Sequence, residues 1–193
     1  MKPVKRPLVA RKVAEMAPSG IRVFFDIVLG MKDVISLGVG EPDFVTPWRI
    51  SEAGIFAIEQ GYTSYTSNKG MMKLRMLIAR DIKKRCGLEY DPDSEILITV
   101  GVSEAVDLAY RAMLEPGDEV LVPMPAYVSY APLVDLAGGK AVYVETMQDG
   151  FKLTPRSLER AITPRTKAII LNYPANPTGI SYTRRELEAL KKV

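Results

Sequence analysis

The sequence contains no histidine and a single cysteine, Cys86. Without histidine there can be no catalytic Ser-His or Cys-His pair and no metal site that uses imidazole ligands. With one cysteine there can be no intrachain disulfide and no zinc site built from several thiolates. Because Cys86 closes an amphipathic stretch, we expect it to be a buried and inert thiol, and we expect no metal site.

The sequence also has little net charge and no long apolar run. The formal charge is +3 over 193 residues, and the basic residues near the N-terminus have no aromatic residues among them, so no nucleic-acid partner is expected. No apolar run approaches the roughly 20 residues of a membrane span, and the N-terminus has no signal-peptide pattern. We therefore expect a cytoplasmic protein without a membrane partner.

From residue 95 onwards, short β-prone runs alternate with helical patterns. Strands are predicted at residues 95–100, 119–122, 141–144 and 168–171, with helices between them. This alternation predicts an α/β fold in which helices cover both faces of a mostly parallel sheet, giving three layers. Right-handed crossovers would bring the loops after the first, second and fourth strands to one carboxyl edge, where open α/β sheets bind ligands.

Before residue 95 the pattern is less regular. Apolar residues recur at helical spacing in residues 48–60 and 71–86, and the glycines that follow these stretches are expected to end two helices. A short helix is predicted at residues 21–28 and a short strand at residues 34–37. The proline-bearing segment at the N-terminus predicts an arm that packs on another surface.

Three of the loops carry residues suited to a ligand. Val102 and Ser103 follow the first strand, where helix-start N–H groups and a hydroxyl can bind an anion such as phosphate. Ser103 is also expected to cap that helix. Tyr127 can lay its ring on a planar group, and the neighbouring prolines hold Asn176 rigidly past a strand end. Together these residues suit a flat, phosphorylated ring.

Each feature also has an ordinary structural explanation. A strand, a glycine turn and a serine-capped helix occur without any ligand, Tyr127 can simply cover the sheet edge, and Asn-Pro and Thr-Gly pairs make turns. A dinucleotide-binding domain is disfavoured, because the glycine turn after residue 100 lacks the three-glycine spacing.

Six motifs follow one another along nearly the whole chain. They are SLGVGEPDF with TP at residues 36–47, YTSNKG with LR at 65–75, TVGVSEA at 99–105, PGDEV at 116–120, PAYVSY at 125–130 and NPTG at 176–179. In this order they resemble the N-terminal half of the class I and II aminotransferases, the fold-type I pyridoxal-phosphate enzymes. The resemblance implies an N-terminal arm and small-domain segment at residues 1–45, and the first part of the large cofactor-binding domain at 46–193.

The resemblance also implies roles for four residues at the cofactor, pyridoxal 5'-phosphate. Val102 and Ser103 would bind its phosphate through backbone and hydroxyl groups. Tyr127 would stack on its pyridine ring, and Asn176 would hydrogen-bond its 3-hydroxyl oxygen.

Two more roles concern the substrate and a second subunit. Gly40 would lie against the substrate carboxylate. Family members place their active sites at a homodimer interface, so Tyr65 would reach the phosphate of the other subunit's cofactor, and the N-terminal arm would pack at the same interface.

The enzyme implied is an aminotransferase that moves an amino group from an amino acid to a 2-oxo acid. The family's Schiff-base lysine, its pyridine-binding aspartate and its carboxylate-binding arginine would all lie beyond Val193. The resemblance thus implies a fragment without catalytic residues and inert alone. A C-S β-lyase, a cyclopropane-forming synthase and a non-catalytic aminotransferase-like binding module stay open, and Lys69 departs from the small residue common in relatives.

Overall fold

The structure is a computed structural model that describes residues 7–16, 27–28, 31–35, 40 and 42–193. Its contacts separate two units, Met1–Ser19 with Val100–Val193 and Gly20–Thr99. Most of the predicted helix at 21–28 and half of the predicted strand at 34–37 lie outside the described residues. The division expected after residue 45 concerns the small and large domains of the family and stays a prediction.

The first unit is built on a three-stranded parallel sheet in the order β2-β1-β3. The strands are β1 (Glu119–Met124), β2 (Lys140–Glu145) and β3 (Thr166–Ile169). The central strand β1 pairs in continuous register with β2, whereas its pairing with β3 shifts by one residue near its start. A strand covered on both faces is apolar throughout, which explains the run of valine and leucine in β1.

In chain order, the described helices are α1 (Arg11–Ala14), α2 (Trp48–Glu59), α3 (Met72–Cys86), α4 (Gly101–Met113), α5 (Tyr130–Leu136), α6 (Pro155–Ala161) and α7 (Arg184–Leu190), with a 3-10 turn at Met147–Asp149. Helices α4 and α5 bury Tyr110 and Val134 against Val120 on one face of the sheet. Helices α6 and α7 bury Leu158 and Leu190 against Leu121 on the other face. The predicted α/β fold with three layers and a parallel sheet is confirmed.

A hydrogen bond links the short helix α1 to α5. The Nζ of Lys12 donates to the backbone oxygen of Asp135 at 3.0 Å, and both groups belong to the first unit. Within the described part of the chain, no helix combines the length and the apolar character that crossing a bilayer requires.

A buried carboxylate joins the amino ends of the three strands. Glu119 is 2% exposed; it accepts the hydroxyl of Thr163 at 2.6 Å and Nη2 of Arg165 at 3.2 Å, and Nζ of Lys140 lies 3.5 Å away. Since Lys140 begins β2 and Arg165 directly precedes β3, one side chain ties all three strand starts. The Thr163 hydrogen bond, followed by the charges of Arg165 and Lys140, holds the pKa of Glu119 below its usual value.

We expect Glu119→Gln to lower the midpoint of thermal unfolding of the whole protein by several degrees at pH 7, because the amide leaves Arg165 and Lys140 without their anion. A carboxyl whose folded pKa lies below its ordinary 4.5 stabilises the fold above that pH and loses this effect as the pH falls through the folded pKa. Circular-dichroism melts from pH 7 to pH 3 measure the difference. The exposed Glu159 of α6 provides the control Glu159→Gln, and a deficit that stays constant with pH would contradict the assignment.

The second unit contains α2 and α3. Gly87 ends α3 with φ of 71°, in the left-handed region that glycine adopts most easily, as predicted. Cys86 is exposed, so the prediction of a buried thiol is wrong. The last turn of α3 is basic and faces solvent, and Cys86 belongs to that turn instead of the apolar stripe.

Residues 95–100 form no strand, contrary to the prediction. A β-prone run becomes a strand only when a neighbouring strand forms hydrogen bonds with its backbone. The described sheet consists of β1, β2 and β3. Instead, the N–H of Ile98 donates to the carbonyl of Lys69 at 3.1 Å.

This contact brings Gly70 against Ile98. The φ of Gly70 is +87°, and a Cβ at this position would lie 2.4 Å from Cγ1 of Ile98. The same turn is held by Arg75, which is 3% exposed and donates from Nε to the Gly70 carbonyl at 3.3 Å and from Nη1 to the Pro92 carbonyl at 2.5 Å. Only glycine satisfies both the backbone angle and the space here.

Gly70→Ala should therefore destabilise the whole protein by about 1–3 kcal/mol, the usual cost of overpacking a tight contact. The matched control is Gly54→Ala within α2, where no atom lies within 4 Å of the added Cβ. That change should be neutral or stabilise by about 0.5–1 kcal/mol, because alanine favours a helix interior. Urea unfolding compares the two, and equal effects would show that Ile98 moves aside freely.

Candidate functional site

The carboxyl ends of β1 and β3 lie at the same edge of the sheet because the two strands are parallel. Thr146, which directly follows β2 and is 1% exposed, donates its hydroxyl to the carbonyl of Met124 at 2.6 Å. This bond fixes the last residue of β1 just before the loop that carries Tyr127. The loop after β3 carries Asn176.

A cavity of about 320 Å³ opens at this edge, and Val102, Ser103, Tyr127 and Asn176 all line it. The other lining residues are Val106, Ser129, Tyr130, Leu133, Asn172 and Pro174. Its volume lies at the low end of the roughly 300–1,000 Å³ typical of small-molecule sites. Four of the six residues singled out in the sequence therefore meet around one space.

Val102 and Ser103 reach the cavity from the first turn of α4. This helix begins at Gly101, so Ser103 is its third residue and not its N-cap, which corrects the prediction. The N-cap is Val100, no side chain caps the helix, and the carboxylate of Glu104 reaches back to accept the N–H of Val100. In the first turn of an α-helix the N–H groups have no carbonyl partner within the helix, and the helix dipole makes this end favourable for an anion.

Tyr127 is 38% exposed and pairs with Tyr130, the first residue of α5. The two ring centroids lie 5.5 Å apart and the rings meet at 73°, an edge-to-face arrangement. Tyr130 therefore covers at most one face of the Tyr127 ring. Burial, and then the neighbouring Tyr127, raise the pKa of Tyr130, so its hydroxyl stays protonated at neutral pH.

The loop that carries Asn176 is closed by its own hydrogen bonds. The N–H of Ala175 donates to the Ile180 carbonyl at 2.8 Å, and the N–H of Gly179 donates to the Ala175 carbonyl at 2.6 Å. The backbone N–H of Asn176 donates to Oδ1 of Asn172 at 3.1 Å. These bonds define the loop conformation that places Asn176 at the cavity.

Tyr182 packs against this loop and also bonds the backbone at Leu153. Its ring meets Tyr173 edge to face, with centroids 5.6 Å apart, and its hydroxyl accepts the N–H of Leu153 at 2.9 Å. The next residue, Thr183, caps α7 and donates its N–H and hydroxyl to Oε2 of Glu186 at 2.6 and 2.8 Å.

The other oxygen of Glu186 accepts Nζ of Lys152 at 2.7 Å. The hydrogen bond from Lys152, followed by those from Thr183, lowers the pKa of Glu186 from 4.5 to about 2. Lys152 precedes Leu153, the residue that bonds Tyr182, so this pair joins the start of α7 to the same support.

We expect Glu186→Gln to destabilise the whole protein at pH 7 and this deficit to shrink as the pH falls from about 4.5 towards 2, because the folded pKa of the carboxyl is the lower one. Thermal melts across that range, together with a carboxyl titration by NMR, measure it. Glu188→Gln on the same helix, which breaks the exposed pair with Arg184, is the control and should have little effect at any pH. A titration midpoint of Glu186 near 4.5 would contradict the assignment.

Tyr65 and Gly40 belong to the second unit. Both are exposed, and their implied roles stay predictions. The sequence interpretation gave no role to two other cavity residues, Asn172 and Tyr130. Their positions contained a weak signal, since Asn172 lies four residues before Asn176 and Tyr130 lies three residues after Tyr127 at a helix start.

Comparison with known proteins decides the family. Residues 32–193 match the family model described as aminotransferase class I and II. The chain belongs to this family. Its predicted resemblance is thereby confirmed, and the cofactor of the family is pyridoxal 5'-phosphate.

Individual relatives agree with the family assignment. YugH of Bacillus subtilis (strain 168) is 52% identical over 179 residues, which cover 92% of this chain and 46% of YugH. The aspartate aminotransferase of Pyrococcus abyssi is 48% identical over 174 residues, 90% of this chain and 45% of that protein. The chain thus spans about half the length of the curated relatives it matches.

Solved structures give the same result for the fold. A double mutant of Thermus thermophilus aspartate aminotransferase superposes with a TM-score of 0.90 at 41% identity, covering 97% of this chain and 50% of that one. The aspartate aminotransferase of Rhizobium meliloti gives a TM-score of 0.89 at 36% identity, covering 98% and 48%.

Proposed function

We propose that the whole protein containing this chain is a pyridoxal-phosphate-dependent aminotransferase that moves an amino group from an amino acid to a 2-oxo acid. The observation that carries the proposal is the meeting of Val102, Ser103, Tyr127 and Asn176 around one cavity in a chain of this family. Each of these side chains, or its backbone, offers the chemistry that one part of the cofactor requires.

The donor set fits a flat ring that bears a phosphate. The first turn of α4 offers backbone N–H groups and the hydroxyl of Ser103 to the phosphate, at the end of the helix where negative charge is favourable. Tyr127 offers an aromatic ring for stacking, and Asn176 offers an amide N–H to the 3-hydroxyl oxygen. The cofactor, when bound, supplies an electron sink for charge that develops at the substrate α-carbon.

The residues around the cavity bind and orient, but they do not move protons at neutral pH. The lining contains no lysine, aspartate or glutamate, and the pKa of its Tyr130 is raised. A general base needs a pKa near the working pH, and aminotransferase chemistry needs a lysine that holds the cofactor and transfers the proton. We therefore infer that residues 1–193 taken by themselves are inert.

The remaining parts of the proposal concern partners. Amino acids and 2-oxo acids are the proposed substrates, and a homodimer is the proposed assembly, with Tyr65 directed to the partner subunit's cofactor and Gly40 to the substrate carboxylate. A cytoplasmic location belongs to the same proposal.

The first test measures cofactor binding by the whole protein. Tyr127→Ala and Asn176→Ala should each weaken pyridoxal phosphate binding by roughly tenfold, because each removes one stacking or hydrogen-bonding contact worth about 1 kcal/mol or more. Absorbance and fluorescence titrations of the apoprotein give the dissociation constants. The control is Tyr143→Ala, which removes an exposed tyrosine from β2 away from the cavity lining. Undiminished binding in both cavity variants would remove the support for this site.

The second test compares residues 1–193 with the whole protein in transaminase assays with added pyridoxal phosphate. The short form should give no turnover, and the whole protein should convert amino acid and 2-oxo acid pairs. Circular dichroism of the short form reports whether it is folded in the assay. Turnover by the short form would refute the inertness inference, whereas pyruvate and ammonia release without amino transfer by the whole protein would favour a β-lyase.

A further inference from the structure

The loop at residues 172–180 has few backbone donors, because Pro174 and Pro177 carry no N–H. The N–H of Asn176, which lies between these prolines, is directed to the side chain of Asn172. The carboxamide oxygen of Asn172 is thus the acceptor for this backbone N–H.

Asn172 and Asn176 also share their surroundings. Both line the cavity of about 320 Å³, and both line a second, small cavity of about 30 Å³ that Tyr182 and Thr146 also line. The two residues therefore form part of the wall between the cavities. A hydrogen bond within this wall restricts how far the backbone at Asn176, and with it the side chain, can shift towards either side.

We propose that Asn172 is a positioning residue that fixes Asn176 for hydrogen bonding to the 3-hydroxyl oxygen of the cofactor. This inference rests on the function proposed above. Asn172 acts through the backbone of Asn176, because Oδ1 of Asn172 accepts the N–H of Asn176 at 3.1 Å. Asn172 is exposed and does not belong to the buried clusters of the first unit. Its contribution should thus appear at the cofactor oxygen and less in global stability.

The direction of the effect follows from electrostatics. A donor N–H from Asn176 stabilises the deprotonated form of the ring oxygen, so a displaced donor raises the pH at which the bound chromophore loses its proton. The loss of one such bond, or of its alignment, should raise this pH by about half a unit and weaken cofactor binding roughly three- to tenfold.

The experiment is a double-mutant cycle in the whole protein, with Asn172→Ala, Asn176→Ala and the double variant. The readouts are the pyridoxal phosphate dissociation constant and the midpoint of the pH-dependent visible absorption of the bound cofactor. If Asn172 acts through Asn176, Asn172→Ala shifts both readouts alone but adds nothing in the Asn176→Ala background. The unfolding midpoint of the apoprotein should fall only slightly in Asn172→Ala and recover in Asn172→Asp, which keeps an acceptor oxygen.

The matched control is Thr178→Val in the same loop, where the hydroxyl accepts the N–H of Ile180 over a longer 3.5 Å. It should leave the absorption midpoint unchanged. An equal shift in this control would mean that any loosening of the loop has the same effect, and the inference would fail. Full additivity of the two asparagine variants would refute it as well.

These outcomes separate the inference from the function it rests on. If the whole protein does not bind pyridoxal phosphate at all, the proposed function fails. If the wild-type protein binds the cofactor and Asn176→Ala shifts the absorption midpoint while Asn172→Ala does not, the function stands and only the role of Asn172 is refuted.

Discussion

The parallel pairing of β1 with β2 and β3 is the constraint on which the site depends. Parallel strands place all their carboxyl ends at one edge. Residues far apart in the chain, such as Tyr127 and Asn176, therefore line one cavity there. The apolar strand β1 holds this arrangement, because Val120 and Leu121 bury opposite faces of it under different helices. Glu119 at the amino end and Thr146 at the carboxyl end then fix the strands lengthwise.

The edge itself is organised by hydrogen bonds that are local in sequence. Glu104 reaches the N–H of Val100, and Asn172 accepts the N–H of Asn176, each across four residues. Such short-range bonds shape a loop or a helix start without a large buried area. The first turn of α4, the Tyr127 ring and Asn176 therefore line the cavity from loops and a helix start, while the core beneath them provides the rigidity.

Interpretation of the sequence succeeded where one residue pattern had one physical outcome. Strands β1, β2 and β3 were predicted to within two residues at each end, because apolar runs between glycine and proline turns have few alternatives. It failed where the outcome depended on a partner. Residues 95–100 have strong β-propensity and yet form no strand, because propensity alone does not make a strand without a pairing partner. Ser103 suits an N-cap, but α4 already begins at Gly101 and Val100 occupies the N-cap position. Cys86 continues an amphipathic pattern, but the turn it belongs to faces solvent.

The sequence by itself determined the class of fold, the family, and four residues that line the cavity, because periodicity, turn chemistry and the order of six motifs are properties of the chain alone. Only the tertiary structure decided that these four residues share one cavity and that Asn172 and Tyr130 belong with them. The physical reason is that a hydrogen bond or a ring contact depends on distance and direction in space. The 3.1 Å bond from Asn176 to Asn172 and the 73° contact between Tyr127 and Tyr130 depend on where the sheet, the prolines and the helix starts place the loops.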